Sequence, residues 1–366
     1  MSAIQESERT AIQEELVRFL RAEAGEDTLR RGMQSDLGYD HAVWQKMAEM
    51  GLLGIAISED FGGIGGSAID TAMVAEALGR SLLPLPYIET CVIAPALLEA
   101  SDMSDESRKI LTRIAQGTAT IAIGGNADIV PFRDPDCRFA IKADGTMSGE
   151  VSLVMHGASA DFLLLALYSG NQTRCLLISS DQDYTIENQT ANDPALRPAK
   201  VSLANVPFIE LTGWRNEDLE QARWQGIVAL SAQQTGAARA IFEVTVDYLQ
   251  TRYQFGRPIG SFQALKHIAA DLFLELESAT SASQAAAKAL ASKAPQTAQF
   301  VALAGFLCND AFRDVSAQAI QLHGGIAYTQ EHVAHLYWRR ARATLSMFGD
   351  SDTHREAYLS AWEAAA

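Results

Sequence analysis

Long apolar runs are missing from this 366-residue sequence, and that absence excludes the commonest kind of membrane protein. No run reaches the roughly 18 consecutive apolar residues that a membrane-spanning helix needs, so we expect none. The N-terminal segment up to Leu20 is charged and amphipathic, and it lacks the apolar core of a secretory signal. We therefore expect a cytoplasmic protein.

Positive charge and cysteine are also scarce. The 29 Lys and Arg residues stand against 45 Asp and Glu residues, which gives a formal net charge of -16. Nucleic acids and anionic membranes attract proteins through a positive field, so we expect neither as the main partner. The four cysteines, Cys91, Cys137, Cys175 and Cys308, show no metal-ligand spacing. We expect free thiols in a reducing compartment and no metal site.

Three zones of residue patterning follow one another along the chain. Apolar residues at helical spacing dominate up to residue 116 and again from residue 217 onwards. Between them, short apolar runs such as Phe162–Tyr168 and Lys200–Leu203 are bounded by Gly, Asp, Asn and Pro, which is typical of strands. Because helices and strands are segregated, we expect an α+β multi-domain fold. Its predicted parts are a helical domain (1–116), a β domain (117–216) and a helical bundle (217–366).

Two segments are more specific than an ordinary helix surface. In the first, Arg252–His267, a helix is predicted to end near Gly256 and a new helix to start near Ser261, with Gln263 in its first turn. An arginine in the last turn of one helix, beside the N-terminus of the next, suits a bound phosphate. A salt bridge with a helix cap explains the same residues equally well.

The second segment is Gln321–Tyr328, where Gly324 and Gly325 follow a long predicted helix. Paired glycines let a backbone approach a ligand closely. A simple left-handed helix cap is the alternative interpretation.

Together, the Arg252-Tyr-Gln-Phe-Gly-Arg-Pro-Ile run, the Gln321-Leu-His-Gly-Gly loop and the Leu336–Ala341 tail resemble the acyl-CoA dehydrogenase family. The N-terminal run Gly51–Gly66 is similar to the same family, so the resemblance covers nearly the whole chain. Within the family, the chain resembles the small, atypical subunit of heteromeric bacterial enzymes.

The resemblance implies a helical N-terminal domain, a central β domain and a C-terminal four-helix bundle, with bound FAD and assembly into dimers or tetramers. In the family, residues of these two segments contact FAD that a neighbouring subunit mainly holds. The matching cofactor-binding positions here are Arg252, Phe255, Gln263, Gln321, Gly324 and Gly325.

The family's catalytic base is the clearest departure. A glutamate normally removes the α-proton of the thioester while the flavin takes the β-hydride. Alignment through Gly349 and the His354-Arg355 pair puts Phe348 at that position, and phenylalanine cannot accept a proton. The position used by a minority of members is Gly226 here. Asp350 is the candidate substitute base, and its alternative role is a turn or helix N-cap.

The predicted β domain departs as well. The stretch Ile121–Asp128 keeps little of the family's flavin-binding pattern, and Leu153–Met155 lacks the Trp and Thr that pack on the flavin ring. An arginine that assists the CoA phosphate is Ile227 here. Groups that contact a subunit's own flavin are therefore degraded, whereas those that reach a neighbour's flavin are kept.

This contrast leads to a hypothesis of a heteromeric acyl-CoA dehydrogenase. A second acyl-CoA dehydrogenase-like subunit holds the flavin ring, the acyl-CoA substrate and the base, and an electron-transferring flavoprotein accepts the electrons. The alternatives are a self-sufficient homo-oligomer that uses Asp350, a non-catalytic flavin-binding or structural subunit, and a flavin oxidase of the same fold.

Overall fold

A computed structural model describes residues 4–169 and 172–365, and within them the elements follow the predicted order of helices, strands and helices. The α-helices are α1 (Glu6–Glu23), α2 (Glu26–Gln34), α3 (His41–Glu49), α4 (Ala68–Ser81), α5 (Ala94–Ala100), α6 (Asp105–Ala115), α7 (Asn216–Thr251), α8 (Gln263–Ser292), α9 (Thr297–His323), α10 (Ala334–Thr344) and α11 (Ser351–Ala365). The strands are β1 (Ile121–Gly125), β2 (Arg138–Ile141), β3 (Thr146–Met155), β4 (Phe162–Ser169), β5 (Gln172–Ser179), β6 (Thr185–Asn188), β7 (Pro198–Pro207), β8 (Ile209–Leu211), β9 (Tyr253–Gln254) and β10 (Arg257–Pro258). The predicted α+β fold class is confirmed.

By internal contacts the chain divides into two compact units. Unit 1 comprises the residues up to Glu15, Asp27–Thr71 and Leu83–Gly226, and unit 2 comprises Leu16–Glu26, Ala72–Leu82 and the residues from Ile227 onwards. The predicted domain boundaries at 116/117 and 216/217 lie where the secondary structure changes, after α6 and at the start of α7. Those domain boundaries stay predictions.

Unit 1 contains two four-stranded sheets that share one apolar core. Their strand orders are β1-β4-β5-β8 and β2-β3-β7-β6, and β1 runs parallel to β4, with Ile121 opposite Phe162. All six residues of Phe162–Leu167 are buried, as expected for a strand covered on both faces. The core between the sheets includes Met147, Val151, Val154, Leu165, Leu176, Ile178 and Val201.

A π-helical turn, Ile88–Ile93, lies in unit 1 beside the start of β1. The Thr90 hydroxyl donates to the Ile121 carbonyl (3.1 Å) and accepts from the Ile121 N–H (2.9 Å), so it holds the turn to the strand. The neighbouring Glu89 is only 6% exposed, and burial raises the pKa of its carboxyl group to about 7. Single π-helical turns occur frequently at functional sites.

Unit 2 contains the helical bundle, in which α9 packs against α8, α10 and α11. Two glycines allow a close helix crossing, because a Cβ atom at Gly79 would lie 1.9 Å from the Gln233 carbonyl oxygen and one at Gly236 would lie 2.0 Å from that of Glu76. The buried Gln234 amide donates to the Asn309 side-chain oxygen (2.6 Å), which links α7 to α9.

The expectation of free cysteines agrees with the structure. All four cysteines are buried and free. Among the described residues, no helix is both long and apolar enough to cross a membrane, and no group of three or more side chains is arranged to hold a metal ion.

Candidate functional site

The arginine segment forms a compact turn between α7 and α8 in unit 2. Helix α7 ends at Thr251, earlier than predicted, although the Arg252 N–H still donates to the Tyr248 carbonyl (2.9 Å). The chain then reverses in the β9–β10 hairpin, whose tip residues Phe255 and Gly256 have φ angles of 52° and 76°. This early reversal, closed by a bond from the Ile259 N–H to the Arg252 carbonyl (2.8 Å), is why the helix stops sooner.

The polar groups of this turn are free to meet a ligand. Arg252 and Gln263 are exposed, and within the described residues neither side chain has a hydrogen-bond or ion-pair partner. Gln263 lies in the first turn of α8, as predicted, although the helix begins at Gln263 and not near Ser261. The N-cap residue Phe262 provides no side-chain acceptor for this turn. The Leu265 N–H already donates to the Phe262 carbonyl (3.2 Å), so the N–H groups of Gln263 and Ala264 are the ones that remain available to an anion.

Exposed aromatic side chains surround these groups. Phe255 is 90% exposed, and its ring meets Phe262 edge to face at 6.1 Å. The Arg257 guanidinium lies 4.0 Å from the centre of the Phe262 ring, which holds the hairpin against the start of α8. Large apolar side chains at the tip of a turn indicate a surface that another molecule covers.

The glycine loop begins directly after α9. Gly324 has φ 67° and ψ -144°, a conformation that other residues rarely adopt. Gly325 has no such requirement, and no atom lies within 4 Å of the position that a Cβ would take at either glycine. Packing inside this chain therefore does not explain Gly325. With the exposed Gln321, the loop presents open backbone that a ligand can approach.

An aromatic contact brings the two segments together. The Tyr248 ring, one turn before Arg252, stacks on the His323 ring at 4.5 Å with an interplanar angle of 26°. Gly260, after the hairpin, packs directly on the Leu249 carbonyl. A Cβ atom at Gly260 would lie 2.8 Å from the carbonyl oxygen of Leu249. The six cofactor-binding residues predicted from the sequence therefore belong to two joined segments of unit 2. A free guanidinium, a helix N-terminus and open glycine backbone fit the diphosphate of a dinucleotide.

The expected position of the base holds no proton acceptor. Phe348 is 4% exposed and has a φ angle of 59°, which is strained for a residue other than glycine. Asp350 is exposed, and its Oδ1 accepts bonds from the Thr353 N–H (2.8 Å) and hydroxyl (2.6 Å). These bonds lower the pKa of Asp350 and make it the N-cap of α11. A low pKa makes a weak base, and the catalytic role of Asp350 stays a prediction.

In unit 1, the polar groups at the end of β1 are already bonded to one another. The Tyr168 hydroxyl donates to Asp128 (2.6 Å), and Arg133 forms an ion pair with the same carboxylate. The Asn126 side-chain oxygen accepts from the Tyr168 N–H (2.8 Å). Asp128 and Tyr168 border a cavity of about 420 Å³. Its lining also includes Ala127, Ile129, Thr173, Glu217, Glu220 and Arg223.

Three residues at these sites were not predicted from the sequence: Tyr248 and His323 in unit 2, and Arg223 in unit 1. Tyr248 lies four residues before Arg252, on the same helix face, which was the only available signal. In the sequence, His323 stands between Leu322 and Gly324 and looks like an ordinary polar residue near a turn. Arg223, whose pKa burial lowers, was missed because nothing in its neighbourhood forms a motif.

Comparison with known proteins supports the resemblance over most of the chain. Residues 6–118 match the family model of the acyl-CoA dehydrogenase N-terminal domain, and residues 218–361 match that of the C-terminal domain. The acyl-CoA dehydrogenase IpdE2 of Mycobacterium tuberculosis is 34% identical over 342 residues, covering 93% of this chain and 92% of IpdE2.

Solved structures show the same fold. A chain of the Tcur3481-Tcur3483 steroid ACAD superposes with a TM-score of 0.86 at 24% identity and covers 98% of both chains. A chain of the ChsE4-ChsE5 complex from Mycobacterium tuberculosis superposes with a TM-score of 0.83 at 22% identity and covers 96% of both. At these identities the likeness establishes the fold alone.

Proposed function

The chain belongs to the acyl-CoA dehydrogenase family, and on that premise we propose that it is one subunit of a heteromeric, FAD-dependent enzyme that desaturates a CoA thioester. A second chain of the same family holds the flavin ring, the CoA and the base. This chain completes the site from across the subunit interface, through Arg252, Phe255, Gln263, Gln321, Gly324 and Gly325. When bound, FAD supplies the acceptor for the hydride that leaves the β-carbon.

One contrast carries the proposal. The unit 2 groups that suit a dinucleotide are exposed and unpartnered among the described residues, as in Arg252 and Gln263. In unit 1, by contrast, the Asp128 carboxylate at the end of β1 forms an ion pair with Arg133 and accepts a hydrogen bond from the Tyr168 hydroxyl. The Tyr168 hydroxyl and the Asp128 carboxylate are therefore bonded to each other at the end of β1, where a chain that holds its own flavin ring would direct such groups to the cofactor. Their internal bonding supports a role directed towards a neighbour's cofactor.

The proposal assigns Asp350 to capping α11 and not to proton abstraction. A general base has to reach the substrate proton with a free carboxylate oxygen and a pKa near the working pH. Two bonds from Thr353 to Oδ1 hold the Asp350 carboxylate at the start of α11 and lower its pKa, which makes the whole carboxylate a weaker base. The apolar Phe348 leaves the proton-transfer step to the partner chain.

A steroid-derived acyl group is the first substrate class to test. The structural relative Tcur3481-Tcur3483 is named as a steroid ACAD. The second relative, ChsE4-ChsE5, is named as a complex from Mycobacterium tuberculosis. Both names support an assembly of two different chains as well. An electron-transferring flavoprotein is the expected electron acceptor, as in the family generally.

Flavin content tests this function. The chain is purified alone, and then together with a co-expressed family member from the same genome that has a glutamate at the position matching Phe348. We expect the lone chain to be colourless and the pair to carry one FAD per two chains. Within the pair, Arg252→Gln should lower the FAD content, whereas the matched control Arg18→Gln, an exposed arginine of α1, should leave it unchanged.

The opposite result would establish the homo-oligomeric alternative. A lone chain that carries one FAD per chain and oxidises acyl-CoA needs its own base. Asp350→Asn would then abolish turnover, because asparagine still caps a helix but cannot accept the α-proton.

A further inference from the structure

We infer that His323 is a positioning residue, which holds the arginine segment and the glycine loop at the spacing that the cofactor requires. This inference rests on the proposed function. The role assigned to His323 is indirect, because it acts through the two segments described above.

The first argument is the placement of the ring. His323 is the last residue of α9, directly before Gly324, and it is 4% exposed. One face stacks on Tyr248 at 4.5 Å, and the His332 ring approaches it at 4.5 Å with an interplanar angle of 58°. His323 therefore lies between the end of α7 and the chain that leaves the glycine loop.

The second argument is the hydrogen bonding of the ring. Nδ1 lies 2.8 Å from the Ala319 carbonyl, one turn earlier in α9, so it is the nitrogen that donates. That bond fixes the ring plane, and with it the surface that Tyr248 meets. Nε2 is buried and has no hydrogen-bond partner among the described residues. A ring held in this way keeps a fixed distance between the two segments. The neutral form of the ring is favoured because it is buried.

The third argument is the consequence for Arg252. Tyr248 lies one helical turn before Arg252 and accepts the hydrogen bond from the Arg252 N–H. A displacement of Tyr248 therefore moves the start of the β9–β10 hairpin. Groups that bind a ligand together lose affinity when their spacing changes by even a fraction of an ångström.

Protonation of His323 would oppose this role. Burial lowers the pKa of His323, and the His332 ring adds to the effect. The titratable groups packed around it are Tyr248 of α7 and His332, and beyond His332 lie Glu26 of α2 and His335 of α10. Burial lowers the pKa of His332 as well, so both rings are neutral at neutral pH. A positive charge on His323 would push the stack apart, and the spacing should therefore loosen once the pH falls below the lowered pKa of His323.

The test compares three variants of the co-expressed pair. His323→Ala removes the ring, His323→Phe keeps an aromatic surface that cannot take a proton, and His41→Ala is a matched control at an exposed histidine of α3. We expect His323→Ala to raise the FAD dissociation constant by roughly threefold to tenfold, the size of a lost aromatic pair. His323→Phe should restore most of the affinity at pH 7.5, and its affinity should fall less between pH 7.5 and 5.5 than that of the wild type.

Hydrogen exchange on the lone chain provides a readout that does not depend on FAD. We expect His323→Ala to increase exchange in both 248–262 and 321–330, although the substitution lies in only one of them. Increased exchange in both segments supports the inference even if the wild-type pair binds no FAD, a result that would refute the proposed function alone. The inference is overturned if exchange in 248–262 is unchanged, or if His323→Phe binds FAD with the same pH dependence as the wild type.

Discussion

Replacing Glu89 with glutamine isolates the cost of burying one carboxyl group in the π-helical turn of unit 1. Burial raises the pKa of Glu89 from 4.5 to about 7. One pKa unit corresponds to about 1.4 kcal/mol, so an ionised Glu89 in the folded protein costs about 3 kcal/mol. Glutamine has nearly the same shape and no charge, and Glu89→Gln therefore avoids that cost.

The sign of the pH dependence follows from the raised pKa. Between pH 4.5 and about 7, the folded chain retains a proton that the unfolded chain releases. The contribution of Glu89 to the free energy of unfolding therefore falls as the pH rises through this range and is constant above it. At pH 8 we expect Glu89→Gln to be more stable than the wild type by about 3 kcal/mol, with little difference at pH 4.

Urea denaturation at pH 4, 6 and 8, followed by circular dichroism, measures this difference. The matched control is Glu187→Gln, an exposed glutamate of β6, which should leave the free energy of unfolding unchanged at each pH. A difference between Glu89→Gln and the wild type that is the same at pH 4 and pH 8 would refute the reasoning, because the carboxyl group would then have an ordinary pKa.

Three further substitutions test other parts of the structure. Gly79→Ala should destabilise the chain by about 3 kcal/mol in urea denaturation, because its Cβ would overlap the Gln233 carbonyl, whereas Gly25→Ala, with open space around it, should have little effect. Gly324→Ala should lower the FAD affinity of the pair at least threefold in a flavin titration, through backbone strain and not through a clash. Asp350→Ala should cost about 1 kcal/mol of stability by loss of the α11 cap, with an unchanged rate of thioester oxidation by the pair; a rate that falls sharply would restore Asp350 as the base.

Local sequence patterns were enough to predict the order of helices and strands, whereas the candidate cofactor-binding residues of unit 2 came from the family resemblance. The apolar run Phe162–Tyr168 became most of β4, and the zone of helical spacing from residue 217 onwards became the helices α7 to α11. Gln263 lies in the first turn of its helix, as predicted, after a turn that contains Pro258. Such features depend on neighbours within a few residues.

Other features depend on contacts between distant parts of the chain, and the sequence did not show them. The Tyr248–His323 stack joins the ends of two long helices, and neither residue forms a motif with the other. The π-helical turn around Glu89 is held by the bond between Thr90 and β1, which no periodicity predicts. The helix before Arg252 ended early because the hairpin closes back on the Arg252 carbonyl.

The central claim is that this chain completes, from across an interface, a flavin site that a partner mainly holds. The most direct measurement is photolabelling of the co-expressed pair with two FAD analogues, one with an azide on the adenine and one with an azide on the flavin ring. We predict that the adenine azide labels this chain within 252–263 or 321–325 and that the ring azide labels the partner. Labelling of this chain by the ring azide, with the partner unlabelled, would contradict the account.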